Sequence, residues 1–362
     1  MVDTVQRQPA EVKFEGELAS LLAHDNDPKP KGWRLSPRAV RKFILGDPKA
    51  GVKQKFFGDD PLVDRCIVSL MGHQGLMLVG EPGTAKSLLS ELLSAAISGN
   101  SGLVIQGSAG VIEDHLRYGW NYALLLAEGP SDRALVPSPL YTGMQTGQLV
   151  RIEELTRCAP EVQDAMISLL SEKTLAIPEL GREMRAAPGF NVIATSNLRD
   201  RGVHDMSSAL KRRFNFETVL PIQDAAFERA LVASQVAERM AGHDVRPELP
   251  SDVVDVIVSV FRDLRTGTTA EGASVAVPSA VMSTAEAVNV AHAAVLDAAY
   301  LDGGKVTGGH VARQLRGVVF KDDSEDERKL RAYVDYVAKS RAKGQKAWSD
   351  FYAASRQADR KA

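Results

Sequence analysis

The sequence predicts an α/β protein with a mostly parallel sheet, followed by a small all-helical domain. Three observations carry that expectation. Short apolar runs bounded by turn residues alternate with helical stretches as far as residue 220. After Pro221 the strand signals fade, and AAFERALVASQVAERMAG, PSDVVDVIVSVFRDLR, VPSAVMSTAEAVNVAHAAVLDAAY and TGGHVARQLRGVVF all read as helices. A length of 362 residues corresponds to about two domains at roughly 150 residues each.

Composition narrows the class. A hydrophobic content of 44% with 25% charged residues supports a buried core and argues against a disordered chain. A formal net charge of -2 argues against a global polyanion binder. Cys66 and Cys158 form neither a metal cluster nor a disulfide framework and read as free thiols in a reducing compartment. The opening MVDTVQRQPAEVKFEG lacks the apolar centre of a signal peptide. No apolar run approaches the roughly 20 residues that span a bilayer. A soluble, cytoplasmic protein without membrane insertion is expected.

The elements follow in order. Residues 1–50 read as an N-terminal arm with short helices. ELASLLAH is one, DNDPKPKG is a linker, and SPRAVRKFILG is another, capped by Ser36 with Pro37 in its first turn. Residues 51–220 form the α/β domain. FFGDDPLVDRCIVSLMGHQ turns into a helix, and GLMLVG, Gly75 to Gly80, is a buried strand. EPGTAKSLLSELLSAAISGN supplies a loop and helix, GLVIQGSAG a strand, and Val111 to Leu125 a helical stretch. EGPSDRALVPSPLYTGMQTG is a turn-rich connection to LVRIEE. APEVQDAMISLLSEK reads as a helix with proline near its start. TLAIPELGREMRAAPGF reads as a hairpin and NVIATSN as a core strand. Residues 221–320 make the helical domain and 321–362 a basic helical tail. From residue 328 onward, ten Lys or Arg face three Asp, with Trp348, Phe351 and Tyr352 among them. A solvated helix whose aromatics pack on the body is preferred over a docking tail or nucleic-acid contact.

Four segments carry chemistry. GEPGTAKS comprises Gly80, Glu81, Pro82, Gly83, Thr84, Ala85, Lys86 and Ser87. It follows the phosphate-loop pattern except that Ala85 stands at the second glycine. The glycines let backbone N–H groups close on phosphate oxygens, Lys86 can reach the β and γ phosphates, and Ser87 can ligate Mg²⁺. A triphosphate with Mg²⁺ needs an acidic strand end nearby, and LVRIEE delivers two carboxylates. Glu153 is placed to hold the metal, through water, and Glu154 to polarise the attacking water. Asn197, at the tip of NVIATSN, can orient that water; Thr195, Ser196 and Asn197 can instead cap a turn. ALKRRF sets Arg212 and Arg213 before an aromatic. Either can serve a neighbouring subunit's nucleotide, although periodicity alone reads both as surface residues.

Together these segments resemble the MoxR-like branch of the AAA+ ATPases, close to the dynein-related group, over roughly Phe57 to Lys321. GEPGTAKS is similar to Walker A, LVRIEE to Walker B, NVIATSN to sensor 1 and SSALKRRF to the arginine-finger segment. The resemblance implies a P-loop NTPase core and helical lid, ATP with Mg²⁺ as cofactors, and a homo-oligomer, expected as a six-membered ring with ATP at its boundaries. It implies Arg213 as the finger acting in trans, with Arg212 the alternative. It also implies a chaperone-like remodelling activity with a von Willebrand factor A domain protein as possible partner. The LAIPELG hairpin resembles the family's insertion before sensor 1. Three positions depart from the pattern: Ala85, Glu153 where the family has aspartate, and the stretch Gly272 to Val288, which holds no Lys or Arg to act as sensor 2. Two alternatives stay open. One is a nucleotide-regulated scaffold with little turnover; the other is a nucleic-acid motor, for which the basic tail is the only support.

Overall fold

The computed structural model describes residues 7–58, 60–197, 203–280, 282–319 and 324–359. The chain divides into two units, Met1–Glu81 with Ala85–Leu220, and Pro82–Thr84 with Pro221–Ala362.

Among the described residues the first unit holds nine strands. They are β1 Gly75–Val79, β2 Val104–Gln106, β3 Tyr118–Trp120, β4 Leu135–Pro137, β5 Leu149–Glu153, β6 Thr174–Ile177, β7 Arg182–Arg185, β8 Asn191–Ser196 and β9 Phe214–Thr218. Five form the central sheet in the order β2-β5-β8-β1-β9, and every pairing is parallel. All residues of β1, β5 and β8 are buried, as strands covered on both faces must be. Strand periodicity sends alternate side chains into two cores. Leu76, Leu78, Leu149 and Ile193 pack with the N-terminal helices, while Met77, Val79, Val150, Ile152, Val192 and Ala194 face the opposite core.

The N-terminal segment is part of that architecture. Helices Glu15–His24 and Pro37–Leu45 form where the sequence predicts them, and Ser36 Oγ accepts from Ala39 N at 3.2 Å as the cap. Leu18, Leu35, Phe43 and Ile44 share a core with Leu89 and Leu92 of helix Lys86–Ser98. Cys66 and Cys158 are free and buried in different cores.

Two expectations need correction. Val111 to Leu125 is not one helical stretch: a short helix Glu113–Leu116 gives way to β3, and a second helix occupies Tyr122–Glu128. β3 pairs antiparallel with β4, Gly119 opposite Val136. The turn-rich connection before LVRIEE holds β4 and helix Pro139–Thr146, with Ser138 as cap, Pro139 in the first turn and Gly147 at φ +69° as the stop. TLAIPELGREMRAAPGF does form the expected hairpin, β6 against β7.

The second unit is helical. Ala225–Met240, Ser251–Thr266, Thr284–Tyr300 and Gly308–Val319 are the four helices expected. Ser324–Tyr333 and Lys346–Asp359 follow, and their Leu330, Tyr333, Trp348 and Phe351 are buried in the same core. The basic residues of this end are largely paired at home: Arg341 with Asp263 and Glu271, Arg331 with Glu327, Lys346 with Asp350, Arg356 with Asp335. Arg360 and Lys361 lie outside the described residues. No described helix is long and apolar enough to cross a membrane.

Candidate active site

Because β8 lies between β1 and β5, the carboxyl ends of these three strands stand side by side. Each ends in a different kind of group. β1 runs into the loop Gly80–Ser87, which opens helix Lys86–Ser98. Gly83 takes φ +76° and Ala85 φ +65°, left-handed angles that turn the backbone into a loop. Ala85 therefore occupies a position that favours glycine.

The Lys86 ammonium donates to the Gly80 carbonyl at 3.1 Å and the Glu81 carbonyl at 2.7 Å. Burial pushes it down to about 8, against the pull of Glu154, Glu153 and Glu81. Ser87, on the first turn of the helix, donates its hydroxyl to Glu153 Oε2 at 2.6 Å.

Glu153 is almost fully buried at the end of β5. Burial opposes its charge, yet hydrogen bonds from Ser87, Ser90 and Thr195 and the Arg151 guanidinium hold its carboxyl below the usual range. Thr195 Oγ1 donates to Glu153 Oε2 at 2.9 Å and accepts from Glu154 N at 2.9 Å. One hydroxyl thus ties the tip of β8 to both acids. Glu154 leaves the strand at φ +55°, which turns its side chain away from the direction β5 would give it. Its Oε1 accepts from Asn197 Nδ2 at 3.1 Å, and its Oε2 lies 2.8 Å from Arg157 Nε. Gly107, after β2, donates its N–H to Glu153 O at 2.7 Å. A Cβ there would fall 2.3 Å from Glu154 O, so only glycine lets the chains approach this closely.

Lys86, Ser87, Glu153, Glu154 and Asn197 are therefore brought together. Arg212 and Arg213 are not. The Arg213 carbonyl accepts from Gly75 N at 2.8 Å, at the start of β1. The loop lies at the other end of that strand, roughly 15 Å away at about 3.3 Å per residue. Arg213 Nε donates to Ser171 Oγ at 2.7 Å, and Arg212 is exposed. Sequence reasoning missed Arg151, Ser90, Arg157 and Gly107. Only Arg151 left a trace, as a charge inside an otherwise apolar run.

The residues present fit a magnesium-bound triphosphate. Among the described residues no group of three or more His, Cys, Asp or Glu forms a closed metal cage. Ser87 Oγ and Glu153 instead offer adjacent hard oxygens, the partial donor set that suits a Mg²⁺ sharing its shell with phosphate and water. Lys86 and the helix amino end supply the positive side.

A parallel sheet with a phosphate loop, an acidic strand end and a polar strand tip along one edge defines a P-loop protein of the AAA+ class. A family profile described as AAA domain (dynein-related subfamily) matches residues 75–214, and one described as YehL-like AAA+ ATPase C-terminal domain matches residues 226–358. YehL of Escherichia coli K12 is 49% identical over 334 residues, covering 91% of this chain and 92% of that one. The chain belongs to the YehL family of dynein-related AAA+ ATPases. The Staphylococcus haemolyticus protein SH1500 is 27% identical over 165 residues, 45% of this chain and 62% of that protein. Among solved structures, NtrX from Brucella abortus in complex with ATP aligns with a TM-score of 0.50 and 12% identity. That alignment covers 80% of this chain and 61% of NtrX, a likeness of fold.

Proposed function

We propose that this protein binds ATP with Mg²⁺ at the β1, β5 and β8 strand ends and hydrolyses it to ADP and phosphate. The observation that carries the reading is the Ser87–Glu153 contact of 2.6 Å beside Lys86, with Glu154 and Asn197 hydrogen-bonded next to it. The loop N–H groups and Lys86 take the phosphate oxygens. Ser87 and Glu153 would hold Mg²⁺, Glu153 through water, and the metal would supply neutralisation of phosphate charge. Glu154 polarises the attacking water, and Asn197 fixes the direction of its carboxylate. Arg213, with Arg212 as the alternative, serves the nucleotide of a neighbouring copy in a homo-oligomeric, six-membered ring. Release of the γ phosphate removes that contact, and the change in subunit geometry remodels a protein partner in the manner of MoxR-like ATPases. A von Willebrand factor A domain protein is the partner class this reading favours.

One contact favours a second reading, a nucleotide-regulated scaffold with little turnover. Arg157 engages Glu154 at 2.8 Å and so competes for the carboxylate that would act on water. Steady-state phosphate release separates the two. The ATPase reading expects turnover by the wild type and a loss of about 100-fold or more in Glu154→Gln, with nucleotide affinity retained. Equal rates near background in both proteins would leave the scaffold.

A further inference from the structure

Glu153 ends β5 beside Ser87, and a second charged residue lies directly behind it. Arg151 precedes it by two positions on β5, so both side chains project from the same face of the sheet, toward helix Lys86–Ser98. Arg151 is 7% exposed. Its Nη2 donates to Glu153 Oε1 at 2.8 Å and to Ser87 O at 3.0 Å, its Nε to Ser90 Oγ at 2.9 Å, and its Nη1 to Ser101 O at 3.2 Å. Ser90 Oγ lies 2.9 Å from Glu153 Oε1.

The two carboxylate oxygens are therefore divided. Oε1 is held by Arg151 and Ser90; Oε2 meets Ser87 and Thr195. Glutamate has one more rotatable bond than aspartate, and its carboxylate at the end of a buried strand would otherwise sample several rotamers. We propose that Arg151 is a positioning residue that adapts the longer Glu153 to the magnesium site, tying Oε1 back so that Oε2 alone faces Ser87. The inference rests on reading the site as one for magnesium nucleotide. It assigns Arg151 an effect on metal affinity beyond neutralising a buried acid, because outer partners of a metal ligand set its orientation.

The test is calorimetric binding of an unhydrolysable ATP analogue to the full chain, across a Mg²⁺ series and in EDTA. Arg151→Met is expected to raise the Mg²⁺ concentration for half-maximal binding by about 10-fold or more, with affinity in EDTA unchanged. Adding Glu153→Asp to it should recover part of that loss, since the shorter side chain needs no tether. An unaltered Mg²⁺ midpoint, or an equal loss of affinity in Mg²⁺ and EDTA, would overturn the proposal. Should Arg151→Met fail to fold, Ser90→Ala removes the other tether and is read on the same axis. A Mg²⁺ shift there supports the inference, and none overturns it. Wild-type binding indifferent to Mg²⁺ would instead overturn the functional reading, a result that needs no variant.

Discussion

Ala85 sits where the phosphate loop turns into its helix, with φ +65° and ψ 24°. A side chain in that left-handed region costs about 1–2 kcal/mol, while glycine adds back roughly 0.5–1 kcal/mol through its unfolded-state freedom. Ala85→Gly is therefore expected to stabilise the first unit by about 0.5–1 kcal/mol, read from its urea midpoint, with nucleotide affinity kept. Destabilisation would mean that the methyl group is packed more productively than the backbone is strained. Glu154 is the second non-glycine residue near the site in that region, at φ +55°. There the unusual backbone aims a proposed catalytic group, a common use of local strain. Neither angle was legible in the sequence. The motif identified Ala85 as a departure, but its conformation follows from the loop closing on itself.

Between the strands, order matters more than content. The apolar runs GLMLV, LVRIE and NVIATS were readable as buried strands because both faces of a parallel sheet are covered. Their neighbours were not readable, since parallel pairing joins segments far apart in the chain. Placing β8 between β1 and β5 is what lets Thr195 touch Glu153 and Asn197 touch Glu154. The hairpin of β3 and β4 escaped notice because three-residue strands leave no periodicity to detect. The helices of the second unit show the converse. AAFERALVASQVAERMAG was legible as a helix, but nothing in its sequence singled out Glu228. It is 0% exposed. Its carboxylate accepts from Arg265 and Arg262 on helix Ser251–Thr266, and from Thr284 Oγ1 at 2.6 Å on the next helix. Removing one partner of a buried pair costs about 3–5 kcal/mol because the other charge is left uncompensated. Glu228→Ala should lower the stability of the second unit by that amount, measured by chemical denaturation. A loss below about 1 kcal/mol would show that water takes over the carboxylate's place.

For the assembled protein, the decisive placement is that of Arg212 and Arg213 at the opposite end of β1 from the phosphate loop. Within one chain Arg213 is engaged by Ser171 and Ala209, so a role at the nucleotide requires a second copy. The trans reading makes a specific demand on mixtures. Lys86→Ala removes the phosphate contact and Arg213→Ala the finger, and each alone is expected to lose at least about 1000-fold in phosphate release. Co-assembled, they should regain activity, because an intact loop on one subunit meets an intact Arg213 on the next. Mixtures no more active than either parent would remove Arg213 from that role and bring Arg212 forward.

Composition, strand and helix patterning, and the spacing of GEPGTAKS, LVRIEE and NVIATSN were enough to read an α/β ATPase core with a helical region after it. Local propensity and motif chemistry are written in consecutive residues, so they survive without coordinates. The Arg151 tether, the Gly107 approach, the burial of Glu228 and the split of the Glu153 carboxylate between two sets of donors were not written that way. Each depends on segments tens of residues apart meeting within hydrogen-bond distance, and folding, through strand order and core packing, is what brings them there.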